Sequence, residues 1–340
     1  MERKHFLHEQ KRATLVKRNQ ITASIRDWFV KQSFTEIDVP YLQPSPCMEQ
    51  HIHALPVTLH SLTGNEKTLY LHTSPEFCCK KILATGEDRI FTLSRVWRDE
   101  IESKMHSPEF TMLEWYRTNA NYTQAMADCR TLIFSIANQL NINTMTWNQI
   151  TCPIFCDWKT LTVCEAFLKF ANIDLMASLN DLKHPDANNL RMQSRNNGIH
   201  VSDDDDWRDI FSKILDEFIE PNLGIDTPVF LIDYPYPEAI FSRFKSESSK
   251  LAERFELYIA GMELASGASE LTDVQEHEKR FLEEQHNKKE RYGISYPIDY
   301  DFLAALSNLE KICGVAMGVD RLVMLFTEAT HIENVMWSQL

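Results

Sequence analysis

The chain has 340 residues, 44% of them hydrophobic and 25% charged, so it can bury a large core and has the balance of a globular protein rather than a disordered one. Its net charge of -14 argues against a bare polyanion as a partner, because nucleic-acid binding depends on Lys and Arg neutralising phosphates. The sequence has no uncharged apolar run of about 18 residues and its N-terminus is charged, so we expect no membrane span, no secretion signal and a cytoplasmic location.

The first forty residues predict a long helix followed by a strand. Residues 12–32 repeat apolar side chains about every four positions, which is the period of an amphipathic helix. These side chains are Leu15, Ile21, Ile25 and Phe29. Residues 34–40 then have a strand pattern that Pro40 ends, because proline cannot donate to a β-ladder.

The next readable elements are two short strands with a helix between them. Residues 69–72 and 89–97 are rich in β-branched and aromatic side chains, which favour strands. Residues 75–84 predict a helix, with Ser74 as a suitable N-cap. Residues 140–205 contain no pattern clear enough to assign.

Further along the chain, one more helix and three strands are predicted. Residues 207–219 place apolar side chains on one helical face, and Pro221 and Gly224 end the helix. Residues 229–234 predict a strand. Residues 254–259 and 262–264 predict a β-hairpin that turns at Ala260 and Gly261.

Residues 95–116 have the pattern strand, polar loop, strand and carry a dense set of polar groups. Side chains alternate along a strand, so the second strand places four of them on one face. These are Phe110, Met112, Glu114 and Tyr116. Arg98 and Glu100 are predicted to share a face of the first strand. If the two faces coincide, their polarity exceeds what a buried sheet face tolerates without a ligand, although a structural network of ion pairs is the alternative.

This segment, about residues 91–117, resembles motif 2 of the class II aminoacyl-tRNA synthetases, and residues 108–116 are most similar to the lysyl, aspartyl and asparaginyl branch. Residues 12–46 resemble motif 1, and residues 313–326 resemble motif 3. The three motifs occur in the expected order. The resemblance implies an α+β fold, a mainly antiparallel sheet flanked by helices, in a single catalytic domain over residues 1–340. It also implies a homodimer through motif 1, which would cover the apolar face between Leu15 and Phe29.

The resemblance further implies ATP as a substrate, held by nine residues. They are Arg98, Glu100, His106, Ser107, Phe110, Glu263, Leu264, Gly318 and Arg321. Arg98 and Arg321 are the implied catalytic residues. Arg98 would clamp the amino-acid carboxylate and the α-phosphate with its planar fork of donors, while Arg321 and His106 would hold the outer phosphates. Adenylation needs positioning and charge neutralisation rather than a protein nucleophile.

Glu256 and Glu263 lie about symmetrically around the predicted turn at residues 260 and 261, so we expect them near each other across the hairpin. Like charges facing each other are destabilising. Mg²⁺ would compensate, because it combines carboxylates with substrate phosphate oxygens. The matching glutamates bind Mg²⁺ in the family, and two solvated glutamates are the alternative.

Similarity to the lysyl enzymes implies an acidic pocket for a lysine-like amino acid. The implied substrate-binding residues are Ser74, Glu76, Glu114, Tyr116, Ser266, Glu270 and Ala316. Glu270 and Tyr116 would read the side-chain ammonium, and Glu76 would face an amino group. The sequence departs from the family pattern at Ser107 and Ser266, where asparagine is usual.

The acceptor is inferred from the start of motif 1 and from Ala316. Motif 1 begins within the first thirty residues, which leaves no room for the anticodon-binding barrel of a lysyl-tRNA synthetase. Ala316 occupies a position where synthetases usually have glycine. Both features resemble the elongation factor P lysine ligase family, which attaches (R)-β-lysine to a lysine of elongation factor P. We therefore expect lysine or (R)-β-lysine as the amino acid, elongation factor P as the acceptor and no use of tRNA.

Two other interpretations stay open at this point. One is another enzyme of the same fold, either a minimal tRNA-charging enzyme or an ammonia-using asparagine synthetase. The other is a regulatory paralogue without catalytic activity. The presence together of Arg98, Glu100, Glu263 and Arg321 argues against the regulatory paralogue, and the sequence does not separate α-lysine from β-lysine.

Overall fold

The structure is a computed structural model that describes residues 2–60, 63–180, 185–246 and 249–337. Its strands are β1 Thr35–Glu36, β2 Leu42–Gln43, β3 Pro56–His60, β4 Glu66–Leu71, β5 Arg89–Trp97, β6 Glu109–Thr118, β7 Thr144–Trp147, β8 Ile150–Pro153, β9 Lys159–Thr162, β10 Val229–Pro235, β11 Leu251–Ile259, β12 Met262–Ser269 and β13 Ile312–Gly318. Its α-helices are α1 Glu2–Lys31, α2 Glu76–Leu83, α3 Tyr122–Leu140, α4 Val163–Ala171, α5 Ala187–Asn196, α6 Trp207–Ile214, α7 Val274–Tyr292, α8 Tyr300–Leu306 and α9 Val319–Thr327.

The described residues build one large sheet with eight strands. Their spatial order is β1-β5-β6-β13-β12-β11-β10-β9, and only the outer pairs β1 with β5 and β10 with β9 are parallel. The five inner pairings are antiparallel. The helices pack around this sheet, which gives the α+β architecture expected from the sequence.

Helix α1 is longer than predicted, and the strand that follows it is shorter. The helix begins at Glu2, and the strand expected at residues 34–40 contracts to β1. The apolar face from Leu15 to Phe29 is fully buried within the chain, where the Phe29 ring stacks on Phe91 of β5 at 4.4 Å. The expectation that a monomer would expose this face is therefore wrong, because the chain's own sheet and α3 cover it.

Motifs 2 and 3 meet in the middle of the sheet. Strands β5 and β6 pair directly, with Leu93 opposite Leu113. Strand β13 lies between β6 and β12 and leads straight into α9. On β6, Leu113 and Trp115 enter the core beneath α1 and α3, so Met112 and Glu114 face the opposite side of the sheet. This opposite side carries the candidate site.

Two helix boundaries differ from the prediction. The N-cap of α2 is Pro75 rather than Ser74, although the Ser74 hydroxyl accepts a hydrogen bond from the Glu76 backbone N–H at 3.0 Å. Helix α6 ends at Ile214, and the chain continues as a wider π turn through Ile219. At its N-terminus, Asp206 and Asp209 cap each other's backbone N–H groups, which satisfies donors that the helix leaves free.

The part that the sequence left unassigned forms the outer end of the molecule. Strands β7 and β8 are a short hairpin, β9 joins the edge of the main sheet, and α4 and α5 pack with α6 in a second apolar cluster. A reciprocal cap between Thr162 and Glu165 begins α4. None of the helices in the described ranges combines the length and the apolar composition that crossing a membrane requires.

Candidate active site

The site lies on the sheet face formed by four adjacent strands. Glu114 on β6, Ala316 on β13, Ser266 on β12 and Glu256 on β11 are in register, each opposite the next. Residues directly opposite each other point to the same face of a sheet. The row therefore brings together residues that are up to 202 positions apart in the chain, as Glu114 and Ala316 are.

One cavity on this face has two arginines, Arg98 and Arg321, in its wall, and we call it the arginine cavity. It has a volume of about 230 Å³. All nine residues that the resemblance implied for ATP line it: Arg98, Glu100, His106, Ser107, Phe110, Glu263, Leu264, Gly318 and Arg321. Residues from motif 2, from the β11–β12 hairpin and from motif 3 thus meet around one space.

A second cavity adjoins the first, and we call it the acidic cavity. It has a volume of about 240 Å³. All seven implied substrate-binding residues line it: Ser74, Glu76, Glu114, Tyr116, Ser266, Glu270 and Ala316. Six carboxylates and two arginines are in its wall: Glu49, Glu76, Glu114, Glu238, Glu263, Glu270, Arg98 and Arg254. Such an excess of negative charge suits a cationic ligand that also carries one anionic group.

Arg98 stands where the two cavities meet. It lines both of them, and its Nε is buried without a hydrogen-bond partner among the described residues. Its guanidinium carbon lies 5.3 Å from the centre of the Phe110 ring, and Nη1 lies 3.9 Å from Glu100. A buried donor without an acceptor is costly, so this group is suited to an oxyanion supplied by a ligand.

The backbone around Arg98 differs from the prediction. Strand β5 ends at Trp97, so Arg98 and Glu100 lie in the following loop and not on a shared strand face. The loop is held to the start of β6 by a 2.9 Å hydrogen bond from the Arg98 N–H to the Pro108 carbonyl. The two side chains still converge, because the loop folds back over β6.

Arg321 lies in the first turn of α9, in motif 3. Its side chain contacts Glu263 of the β11–β12 hairpin and His106 of motif 2, so it links the three segments that line the arginine cavity. Its Nη1 donates to the Glu263 carbonyl at 2.7 Å and to the Glu263 carboxylate at 3.1 Å. Its Nη2 lies 3.0 Å from Nε2 of His106. Because arginine can only donate, Nε2 must accept, and the ring proton belongs on Nδ1, which contacts Ser103 at 2.8 Å. Burial, and then Arg321, lower the pKa of His106, which keeps the ring neutral.

The two glutamates expected to hold Mg²⁺ are not placed alike. An irregularity in the β11–β12 pairing sets Glu263 opposite Tyr258 and Glu256 opposite Ser266, so the two do not face each other. Glu263 lines both cavities. Glu256 lines neither, and its oxygens accept hydrogen bonds from Arg254, Tyr258 and Tyr234. Glu263 therefore fits a metal shared with phosphates, whereas Glu256 is already occupied by protein donors.

Glu114 is the most deeply buried carboxylate in the wall of the acidic cavity, with 1% exposure. Ser74 donates to one of its oxygens at 2.5 Å and Tyr116 to the other at 2.9 Å. Burial, with a contribution from Glu76, raises the pKa of Glu114 to about 8, although the two hydroxyls oppose the rise. The protonated form of this carboxyl is therefore favoured at neutral pH.

Glu270 lies one residue beyond the end of β12, beside Gly314 of β13. A Cβ at position 314 would fall 2.5 Å from Oε1 of Glu270 and 2.3 Å from the Tyr116 ring. Glycine at this position therefore allows both side chains to reach the cavity wall. The other oxygen of Glu270 is bonded at 2.8 Å to Nζ of Lys80, a buried residue that the sequence had not singled out.

Two other residues of the cavity wall, Arg254 and Thr73, were missed from the sequence. Arg254 on β11 lines the acidic cavity and bonds to Glu256 and to the Glu238 carbonyl, each at 2.5 Å. Thr73 lines it too, and its hydroxyl is buried without a hydrogen-bond partner among the described residues. Each had a weak signal: Arg254 is two residues before Glu256 on one strand face, and Thr73 adjoins Ser74.

Comparison with known proteins identifies the family. The sequence profile described as tRNA synthetases class II (D, K and N) matches residues 4–337. A protein of Pectobacterium atrosepticum named elongation factor P-(R)-β-lysine ligase is 34% identical over 328 residues, which are 95% of this chain and 94% of that one. The chain belongs to this ligase family of class II synthetases. Its namesake from Haemophilus ducreyi is 31% identical over 325 residues, 95% and 92% of the two chains, and that of Yersinia pestis is 33% identical over 328 residues.

These matches confirm the family that the sequence motifs indicated and the expected α+β fold class. The matched profile spans all three segments that resemble motifs 1, 2 and 3. In this member, the motif residues surround two cavities that adjoin at Arg98.

Proposed function

We propose that this protein uses ATP to activate lysine or (R)-β-lysine as an aminoacyl adenylate and transfers the aminoacyl group to a lysine side chain of elongation factor P. The position of Arg98 in the wall of both cavities supports this proposal most directly. Adenylation requires that two anions, the amino-acid carboxylate and the α-phosphate, react with each other. A guanidinium at the junction, with a buried donor that has no partner within the described part of the chain, would reduce the repulsion between them.

In the first step, an oxygen of the amino-acid carboxylate attacks the α-phosphorus of ATP, and the bond to the β-phosphate breaks, which releases pyrophosphate. Arg98 would hold the carboxylate and the α-phosphate together. Phe110, with the Arg98 guanidinium on one side, offers a ring face for the adenine, and Glu100 an acceptor for its amino group. Arg321 and the neutral His106 would hold the outer phosphates.

In the second step, the amine of a protein lysine attacks the carbonyl carbon of the adenylate. An amide bond forms, the bond to the phosphate oxygen breaks, and AMP leaves while the amine loses a proton. Glu76, Glu114 and Glu270 in the acidic cavity would keep the ammonium groups of the activated amino acid in place. No covalent bond to the enzyme is needed in either step.

ATP and Mg²⁺ are both consistent with the residues present. The Glu263 side chain is 35% exposed, lines both cavities and lies beside Arg321, so it would hold Mg²⁺ together with phosphate oxygens. Mg²⁺ usually binds one or two carboxylates plus substrate phosphates and keeps several waters. Bound there, it would neutralise charge on the leaving pyrophosphate. Glu256 would support this end of the site from behind, through Arg254 and the tyrosines.

Three further features belong to the proposal. A homodimer through motif 1 follows from the family resemblance, and Val30 and Tyr41 of motif 1, which are 65% and 45% exposed, would be available to a partner. tRNA is not a proposed acceptor, because the net charge of -14 disfavours it. A translation factor as acceptor makes the cytoplasm the expected location.

The proposal is tested by ATP–pyrophosphate exchange with a panel of amino acids, followed by transfer. We expect exchange with α-lysine or (R)-β-lysine and little with aspartate, asparagine or norleucine. Intact-mass spectrometry should then show one added lysyl group on elongation factor P and none on tRNA. Exchange with no amino acid would refute the activity, and charging of tRNA instead of elongation factor P would refute the acceptor.

A further inference from the structure

Lys80 lies directly behind the acidic cavity and does not line it. Its side chain has 0% exposure. Its Nζ donates to Oε1 of Glu76 at 2.5 Å and to Oε2 of Glu270 at 2.8 Å. Both carboxylates are in the cavity wall, so one internal ammonium is shared by two of the groups that face the ligand.

The surroundings of Lys80 leave it few other partners. The rings of Tyr116, Phe241 and Phe302 lie 6.0, 5.7 and 5.9 Å from Nζ. Burial alone would lower the pKa of Lys80, but Glu270 and Glu76 raise it above its ordinary value. An ammonium buried without counter-ions would be very costly, so Lys80 and the two carboxylates form one charged unit.

The geometry assigns one oxygen of each carboxylate to Lys80 and leaves the other for a ligand. For Glu270 the remaining oxygen is Oε1, which lies in the space left by Gly314. Without Lys80, two like charges would face each other in a buried site, and one of them would take up a proton or turn away. The orientation of both carboxylates therefore depends on the internal ammonium.

We propose that Lys80 is a positioning residue for amino-acid specificity: it acts as a fixed counter-ion that keeps the carboxylates of Glu76 and Glu270 oriented, so that the cavity selects amino acids with a side-chain ammonium. This inference rests on the proposed function and deepens it. Lys80 itself touches no ligand. Its effect should appear in the recognition of the ammonium and not in the chemistry at Arg98.

The test compares exchange with the preferred lysine isomer and with norleucine, which has the lysine skeleton without the side-chain ammonium. Lys80→Met replaces the ammonium with an apolar side chain of similar length. We expect it to reduce the ratio of kcat/KM for the lysine isomer to that for norleucine by at least tenfold, mainly through KM for the lysine isomer. KM for ATP should change by less than about threefold. A purely structural effect would lower kcat/KM for both amino acids equally and leave the ratio unchanged.

Lys81 provides the matched control, since it follows Lys80 on α2 and pairs with Asp299 at 2.5 Å away from the cavities. Lys81→Met should leave the ratio unchanged. A double-mutant cycle then tests whether Lys80 acts through Glu270. Lys80→Met combined with Glu270→Gln should have a ratio of kcat/KM no lower than that of Glu270→Gln alone. If the two substitutions instead lower this ratio additively, Lys80 does not act through Glu270.

The double variant also addresses folding. If Lys80→Met alone unfolds, the double variant removes the ammonium and one of its two carboxylates, which costs less than leaving both carboxylates without their partner. A double variant that folds and discriminates like wild type would overturn the inference, as would Lys80→Met with an unchanged ratio. Wild-type protein without exchange for any amino acid would refute the proposed function instead, so the two failures are distinguishable.

Discussion

The hydroxyl of Tyr116 donates a 2.9 Å hydrogen bond to Glu114, two residues before it on the same face of β6. The phenol covers one carboxylate oxygen, and Ser74 donates to the other at 2.5 Å. Both partners are neutral, so they do not replace a counter-ion. A ligand ammonium would supply the positive charge that these two hydroxyls do not provide.

The first prediction follows from the raised pKa of Glu114, which burial and then Glu76 bring to about 8. A cationic substrate requires the ionised carboxylate, so KM for the lysine isomer should fall as pH rises from 6 to 8. The difference between wild type and Glu114→Gln isolates Glu114. We expect a clearly shallower pH dependence in the variant, and equal slopes would contradict the assignment.

The same pKa predicts a stability effect of defined sign. The folded carboxyl keeps a proton that the unfolded chain releases above its ordinary value of 4.5. The free energy of unfolding should therefore decrease, through this group, as pH rises from about 4.5 to about 8. Urea titrations of wild type and Glu114→Gln without ligand measure this contribution. As pH rises, the free energy of unfolding of wild type should fall relative to that of Glu114→Gln.

The second prediction concerns Arg98 and Arg321. Each substitution to alanine should lower pyrophosphate exchange about 100-fold or more without unfolding the chain, because a charge-stabilising donor is lost from the reacting centre. Arg98→Ala should raise KM for both substrates, since Arg98 lines both cavities, whereas Arg321→Ala should raise KM for ATP alone.

Arg95 is the control for both arginines. It lies on β5, within motif 2. Its side chain pairs with Glu109 at 3.5 Å, and about a third of each side chain is exposed. Such surface pairs contribute little, so Arg95→Ala should retain exchange within roughly twofold. Near-normal exchange in Arg98→Ala or Arg321→Ala would reject the assignment of this site.

Apart from Glu256, the residues that the sequence singled out for the site line the two cavities, but several of their contacts were not predicted. Resemblance to the three motifs singled out Arg98, Phe110 and Arg321, because the order and residue types of the motifs are visible in one dimension. Lys80 was missed because its role depends on how α2 packs against the residue after β12, which no local pattern encodes. The irregular pairing that separates Glu256 from Glu263 is likewise a property of two strands together.

In the fold, too, features with a local pattern were predicted, and features that depend on distant partners were not. Long periodic elements such as α1 and the β11–β12 hairpin were predicted, with errors at their ends. Residues 140–205 gave no signal because their strands are four residues long and β9 is placed by a parallel partner, β10, about seventy residues later. Whether an apolar helix face meets its own sheet or another chain cannot be read from periodicity, and for α1 that ambiguity led to the wrong expectation of an exposed face.

The third prediction distinguishes the roles of Glu256 and Glu263 in Mg²⁺ binding. Glu263→Gln should raise the Mg²⁺ concentration for half-maximal exchange about tenfold, because Glu263 lines the cavities and Glu256 does not. Glu256→Gln should shift the Mg²⁺ requirement much less but lower Tm, since its oxygens accept from Arg254 and two tyrosines. Titrating Mg²⁺ at fixed ATP measures both. Equal shifts would restore the original expectation that the two bind the metal together.

The last prediction concerns Ala316, which lies between Glu114 and Ser266 in the row across the sheet and lines both cavities. Its methyl group occupies space beside the acidic cavity, so Ala316→Gly should shift activation from (R)-β-lysine toward α-lysine. One methyl group corresponds to about 1 to 3 kcal/mol of relative specificity. Exchange rates with the two isomers give the ratio directly. Ala252→Gly, which removes a buried methyl from β11 away from the cavities, should lower stability and leave that ratio unchanged. If Ala316→Gly also leaves the ratio unchanged, Ala316 does not determine which lysine isomer is activated, and the position of the amino group must be read by the carboxylates alone.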